Sequence, residues 1–148
     1  MENQSISQLY SELSLNPDLP SLAERCKLLT EILLDCNSLV QTQPVCRCLS
    51  AYLDEVKHGL TESKHDFQVV EFEEKAEQPR RKEWLLEDTE TKCDYCRALN
   101  HVLLISHFDR DMLPHLTGLL HDMAHSMAGD LITPLLPRMT IHLPVQQH

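Results

Sequence analysis

The sequence predicts a mainly α-helical domain of about five helices, and two observations carry this prediction. Apolar residues recur at alternating spacings of four and three along much of the chain, and 3.6 residues complete an α-helical turn. Among 148 residues there are only 3 glycines, and aromatic residues make up 5%. Sandwiches and barrels need glycine-rich turns and aromatic or β-branched strands, so this composition disfavours them. We therefore expect residues 1–148 to form a single helical domain.

The first two helices are separated by a proline-rich break. A short helix is predicted to begin near Ser5 and to end before residues 16–20, where two prolines interrupt the pattern. The second helix is predicted from Ser21 to about Gln41, because Ser21 and Glu24 have the capping-box spacing. Its apolar stripe is the clearest in the chain: Leu22, Cys26, Leu29, Leu33, Cys36 and Val40.

A third helix is predicted to enter at Pro44 and to end near Gly59. Proline is tolerated in the first turn of a helix, and glycine often closes one. The buried stripe of this helix is predicted to be Val45, Leu49, Tyr52, Leu53, Val56 and Leu60. Since its connection to the second helix is short, the two are expected to pack as an antiparallel pair.

Residues 61–88 do not show the apolar helical spacing of the segments before them. We interpret them as a charged hairpin or linker inserted in the helical domain. The segment contains the β-forming residues Phe67, Val69, Val70 and Phe72. Acidic residues precede Pro79 and basic residues follow it, so a hairpin would place opposite charges across from one another. We predict a small β-hairpin near residues 67–87, with a helix or a linker as the alternatives. Residues 139–143 could add a third strand, which would make the fold α+β.

The helical period returns in the last third of the chain. A fourth helix is predicted from about Thr89 to Phe108, with this set on one side: Tyr95, Leu99, Val102, Leu103 and Ser106. A last helix is predicted from about Pro114 to Gly129, with this apolar side: Leu116, Leu119, Leu120, Met123 and Met127.

Charge and composition narrow the possible partners. The chain has 23 acidic and 13 basic residues, a formal net charge of −10. Nucleic acids and anionic membrane surfaces are bound through lysine and arginine, so neither is expected as a partner. Neither a signal-peptide pattern nor an apolar run of about 20 residues is visible, which predicts an intracellular protein, cytoplasmic or nuclear. In such a compartment the six cysteines are expected to be free thiols.

The first candidate metal site is the Cys93/Cys96 pair. Thiolates separated by two residues suit tetrahedral zinc, and His101 or His107 could complete the set. On a straight helix Cys93 and His101 would be about 12 Å apart along the axis. Zinc–ligand bonds are only about 2.0–2.3 Å long, so one ion cannot join these two residues. The site would need the cysteines on a turn before the helix, or ligands from elsewhere. The same pair could instead be a redox dithiol.

The second candidate metal site is the pair His121 and His125. Histidines four residues apart lie on the same face of a helix and can share one metal. The segment Leu119–Asp122 locally resembles the His-Asp pair of the HD metal-dependent phosphohydrolases. That family also uses a histidine upstream and an aspartate well downstream, and the one aspartate that follows Asp122 here is Asp130.

The leading interpretation is a non-enzymatic protein-interaction module, meaning an adaptor, regulatory subunit or chaperone-like binder. It would act through apolar helix surfaces on another protein or on a second copy of itself, without a cofactor. Two alternatives remain. One is a structural or regulatory zinc-binding protein that uses Cys93 and Cys96. The other is a small metal-dependent hydrolase built around His121 and Asp122.

Overall fold

The computed structural model describes the backbone of residues 2–73, 77–105 and 108–132, and the side chains of residues 6–63, 86–105 and 108–132. Within these backbone ranges there are five α-helices: α1 Glu2–Leu13, α2 Leu19–Leu34, α3 Leu39–Glu73, α4 Glu77–Ile105 and α5 Leu113–Ile132. A 3-10 turn, Arg110–Met112, precedes α5. These residues contain no strand, which confirms the mainly α prediction. None of the helices in these ranges is both long and apolar enough to cross a bilayer.

Helices α2 to α5 form a four-helix bundle in which each helix contacts the next along the chain and α5 closes against α2. Helix α1 packs on α3. Contacts between α3 and α4 run in opposite chain directions: Cys46 meets Asn100, Leu53 meets Cys93, and Lys57 meets Glu90. Helices α3 and α4 are therefore antiparallel, as a short connection favours. We call the end where α2 and α4 stop and α3 and α5 begin the loop end.

The core of the bundle is built from leucine, thiol and alanine side chains. The stripe predicted for α3 is confirmed, since all six of its residues are buried: Val45, Leu49, Tyr52, Leu53, Val56 and Leu60. From α2, the side chains of Leu22, Cys26, Leu29 and Leu33 fill the same core. Burying one leucine side chain contributes about 1.5–3 kcal/mol, so these two faces hold the bundle together.

The β-hairpin predicted near residues 67–87 is wrong, since α3 continues to Glu73 and α4 begins at Glu77. Extending an existing helix adds one hydrogen bond per residue fixed, whereas a hairpin must be nucleated, so β-forming residues here continue α3. Pro79 lies in the first turn of α4, where a missing N–H costs no helical bond. The third strand proposed at residues 139–143 lies outside the described residues.

The boundary between α2 and α3 also differs from the prediction. Ser38 Oγ accepts a hydrogen bond from the Gln41 backbone N–H at 3.3 Å, and Gln41 Oε1 accepts one from the Asn37 N–H at 2.7 Å. These two hydrogen bonds cap α3 and begin it at Leu39, before the predicted entry at Pro44. Helix α2 therefore ends at Leu34. Val40 therefore belongs to α3 and is 83% exposed.

The glycines lie inside helices and do not end them. A Cβ on Gly59 would come within 2.8 Å of Cδ2 of Leu19, so the absent side chain lets the start of α2 approach α3 closely. The helix then continues for more than three further turns. Gly129 likewise lies within α5, which runs to Ile132.

The buried faces of α4 and α5 are only partly those predicted. Tyr95 is 54% exposed and Leu119 is 49% exposed. The buried face of α4 consists of Thr89, Cys93, Cys96, Asn100 and Leu103. That of α5 consists of Leu113, Thr117, Leu120, Ala124, Met127, Ala128 and Leu131. Polar residues occupy these faces because they have hydrogen-bond partners there, which removes most of the cost of burial.

Candidate functional site

Cys93 and Cys96 lie one turn apart in the middle of the bundle and are both fully buried. Cys93 Sγ is 3.6 Å from the carbonyl oxygen of Leu53 on α3. Cys26 of α2 lies close enough to interact electrostatically with both of them and with Cys48 of α3. Burial raises the pKa of Cys93 and of Cys96 to about 12. Because a metal is bound by the thiolate, this environment stabilises the form that does not bind.

His101 lies farther along α4 than the two cysteines, and its side chain is exposed. It lines a groove of about 670 Å³ between α3 and α4 that ion pairs also border. Lys57 Nζ lies 2.9 Å from carboxylate oxygens of both Glu90 and Asp94. The structure therefore does not bring His101 to the two thiols. A zinc site on Cys93 and Cys96 stays a prediction, and His107 lies outside the described residues.

The closest grouping of metal-ligating side chains in the described residues joins α2 to α5. Glu31, His121 and His125 each offer one ligand atom, and these three atoms lie within 4.8 Å of one another. His125 Nε2 is 3.2 Å from Glu31 Oε2. The two imidazole rings lie with their centroids 4.0 Å apart and tilted by 34°. The two histidines predicted as a pair therefore lie together on α5, and Glu31 of α2 lies beside them. A metal ion bound by this pair stays a prediction.

One ring nitrogen of each histidine also contacts a group on α5. His125 Nδ1 is 3.0 Å from the carbonyl oxygen of His121, one turn earlier. His121 Nδ1 is 3.2 Å from Oδ1 of Asp122. Protein groups that hold the outer nitrogen of a histidine fix its tautomer and its orientation, which is how ligating histidines are usually supported.

The other carboxylate considered with His121 is elsewhere. Asp130 lies two turns on along α5, where it accepts hydrogen bonds from Lys92 Nζ at 2.8 Å and from Thr89 Oγ1 at 3.1 Å. These contacts bind α4 to α5. The residue that does join His121 and His125 is Glu31, separated from His125 by 94 positions in the chain. Local sequence spacing carries no signal for such a partner.

A second candidate site lies at the loop end, where exposed apolar side chains are concentrated. Ten large apolar side chains stand out as exposed in the described residues, and five of them lie at this end: Leu34, Leu39, Val40, Ile105 and Met112. We call this set the loop-end surface. A cavity of about 290 Å³ opens beside it, lined by Ser38, Leu39, Val40, Phe108, Arg110 and Leu113.

Acidic residues border the loop-end surface. Asp35 follows α2, and Asp109 and Asp111 flank Arg110 in the turn before α5; all four side chains are exposed. The local charge is therefore −2, from three carboxylates and one guanidinium. An apolar centre with a charged rim is the usual composition of a protein-binding surface.

Comparisons of the chain with protein-family models, with curated proteins and with solved structures find no match.

Proposed function

We propose that this protein is a non-enzymatic interaction module that binds a basic amphipathic segment of another protein at the loop-end surface. The observation that carries the proposal is the concentration of exposed apolar side chains at one end of the bundle. Val40 is 83% exposed and Ile105 is 63% exposed there. Single exposed leucines are ordinary, but apolar side chains grouped beside an open cavity are typical of a binding surface.

The acidic residues around the loop-end surface indicate the charge of the partner. Asp35, Asp109 and Asp111 give the surface a negative border, and the whole chain carries a net charge of −10. Charge complementarity favours a segment with lysine or arginine beside its apolar residues, since opposite charges steer association and reject wrong partners. An amphipathic helix that lays its apolar face in the cavity is the recognition mode that fits this composition.

The test uses a labelled synthetic peptide of leucine and lysine and follows its binding by fluorescence anisotropy. Replacing Val40 and Ile105 together by serine removes apolar surface without changing the charge. We expect the double variant to bind the peptide about tenfold more weakly or worse, because each buried side chain contributes on the order of 1 kcal/mol or more. The matched control is Leu15→Ser, since Leu15 is 78% exposed at the opposite end of α2.

The charge component is tested separately with Asp109→Asn and Asp111→Asn. These changes keep the shape and should weaken binding most at low ionic strength. Equal binding by the Val40/Ile105 variant and by Leu15→Ser would overturn the proposal. So would a wild-type dimer, measured by light scattering, that the Val40/Ile105 variant abolishes, because the surface would then belong to a second copy.

A further inference from the structure

The hydrogen bonds of His125 leave a place for a cation between α2 and α5. The carbonyl oxygen of His121 can only accept, so the hydrogen of the neutral imidazole of His125 is on Nδ1. Nε2 then presents its lone pair to Glu31 Oε2, 3.2 Å away, and an ionised carboxylate also can only accept. Two acceptors at this distance repel each other unless a proton or a metal ion lies between them.

A metal ion between these two atoms would have a second imidazole within reach. The ring of His121 lies beside that of His125, with the centroids 4.0 Å apart. A metal ion binds both rings in their neutral form and also neutralises the carboxylate of Glu31.

We propose that Glu31, His121 and His125 form a zinc site that links α2 to α5. Two imidazole nitrogens and one carboxylate oxygen are a ligand set that zinc uses, whereas magnesium and calcium select oxygen ligands. Three protein ligands leave a fourth position for water, which is how open zinc sites are built.

The geometry requires only small adjustments. In a tetrahedral site with bonds of about 2.0–2.2 Å, ligand atoms are about 3.3–3.6 Å apart. The distance from Nε2 of His125 to Glu31 Oε2 is already 3.2 Å, and all three ligand atoms lie within 4.8 Å. The Glu31 side chain is 55% exposed, so it can move toward the ion without displacing the core. The histidine side chains are 25% and 28% exposed, which leaves the ion a path from solvent.

The test titrates zinc into the full chain, made without an affinity tag and first stripped with a chelator, by isothermal calorimetry. Wild type is expected to bind one equivalent. Glu31→Gln and the double variant of His121 and His125 to glutamine should each bind at least about tenfold more weakly, since the loss of even supporting groups has effects of this size. Zinc should also raise the unfolding temperature of wild type and leave that of the double variant unchanged.

The matched control is Glu62→Gln. Glu62 pairs with His58 at 3.2 Å, the same distance as the pair formed by Glu31, but no second imidazole joins that pair among the described residues. Its zinc affinity should equal that of wild type. Equal affinities for Glu31→Gln and Glu62→Gln would overturn the proposal, because the zinc would then be held elsewhere.

Cobalt substitution distinguishes this site from a thiolate site. Cobalt bound to two histidines and a carboxylate should show weak visible bands and no thiolate-to-metal charge-transfer band. A charge-transfer band would place the metal on cysteines, as in the Cys93/Cys96 prediction, and would overturn the site proposed here.

Discussion

At the scale of single residues, Asn100 shows how a polar side chain can belong to the core. It is 2% exposed on α4, and its Nδ2 donates a hydrogen bond to the carbonyl oxygen of Cys46 on α3 at 2.9 Å. Its Oδ1 has no partner in the described part of the chain. A buried amide with one satisfied and one unsatisfied group adds little net stability, but it favours one register of α3 against α4.

Replacing Asn100 by aspartate should be strongly destabilising. The donor becomes an acceptor, so a buried carboxylate would face the carbonyl of Cys46. We expect the free energy of unfolding to fall by more than about 3 kcal/mol, measured by urea denaturation. Asn37→Asp is the control, because Asn37 is exposed just before α3, and it should change stability by less than about 0.5 kcal/mol. A loss in Asn100→Asp no larger than that of the control would contradict this role.

Buried thiols make the protein sensitive to alkaline pH. Burial raises the pKa of Cys46 to about 12 and that of Cys48 to about 11, from an ordinary value of 9.0. Above pH 9 the unfolded chain loses these protons while the folded chain keeps them. The stability that burial of the neutral thiols provides is therefore complete below pH 9 and declines as the pH rises toward the folded-state values.

We expect the urea midpoint of unfolding to be lower at about pH 10 than at about pH 8. Each buried thiol contributes at most about 1.4 kcal/mol per pH unit above its unfolded pKa. Thiol labelling should follow the same logic: in native protein at about pH 8, Cys46 and Cys48 should react slowly with a thiol reagent and become reactive in urea. A constant midpoint together with rapid native labelling of both residues would show that they are not buried.

At the scale of helices and turns, the stripes of apolar residues were predictable and the helix ends were less so. The buried stripe of α3 follows directly from its spacing. Two signals compete at the end of α2. The apolar stripe continues to Val40, whereas Ser38 and Gln41 form a capping pair that begins α3. The capping pair prevails in the structure. The error at residues 67–87 has a similar cause, because β-forming residues do not stop a helix that is already formed.

The capping pair at the start of α3 has a measurable effect. Ser38→Ala removes the acceptor for the Gln41 N–H, and we expect a loss of about 0.5–2 kcal/mol in the free energy of unfolding. Ser126→Ala is the control, since Ser126 is exposed in the interior of α5 and should be neutral or slightly stabilising there. If both variants have the same stability, the cap does not define the start of α3.

At the scale of the whole molecule, function depends on surfaces that only the packed bundle assembles. The sequence predicts that His121 and His125 share a face, because both are on one helix. It cannot predict Glu31, which arrives from another helix through the contact of α2 with α5. The loop-end surface is likewise built from the ends of several helices, so no single stretch of sequence contains it. The sequence did indicate excess apolar surface, and Leu34, outside the main stripe of its helix, is 46% exposed.

The measurement that tests the central claim most directly is photo-crosslinking from single positions in the cell of origin. A benzophenone amino acid is placed at Val40, in the loop-end surface, or at Leu15, which is equally accessible at the other end of α2. We predict that Val40 crosslinks to one defined protein through an apolar segment with neighbouring lysine or arginine, and that Leu15 does not. Crosslinks of the same protein from both positions, or a second copy of this chain as the product at Val40, would contradict the account.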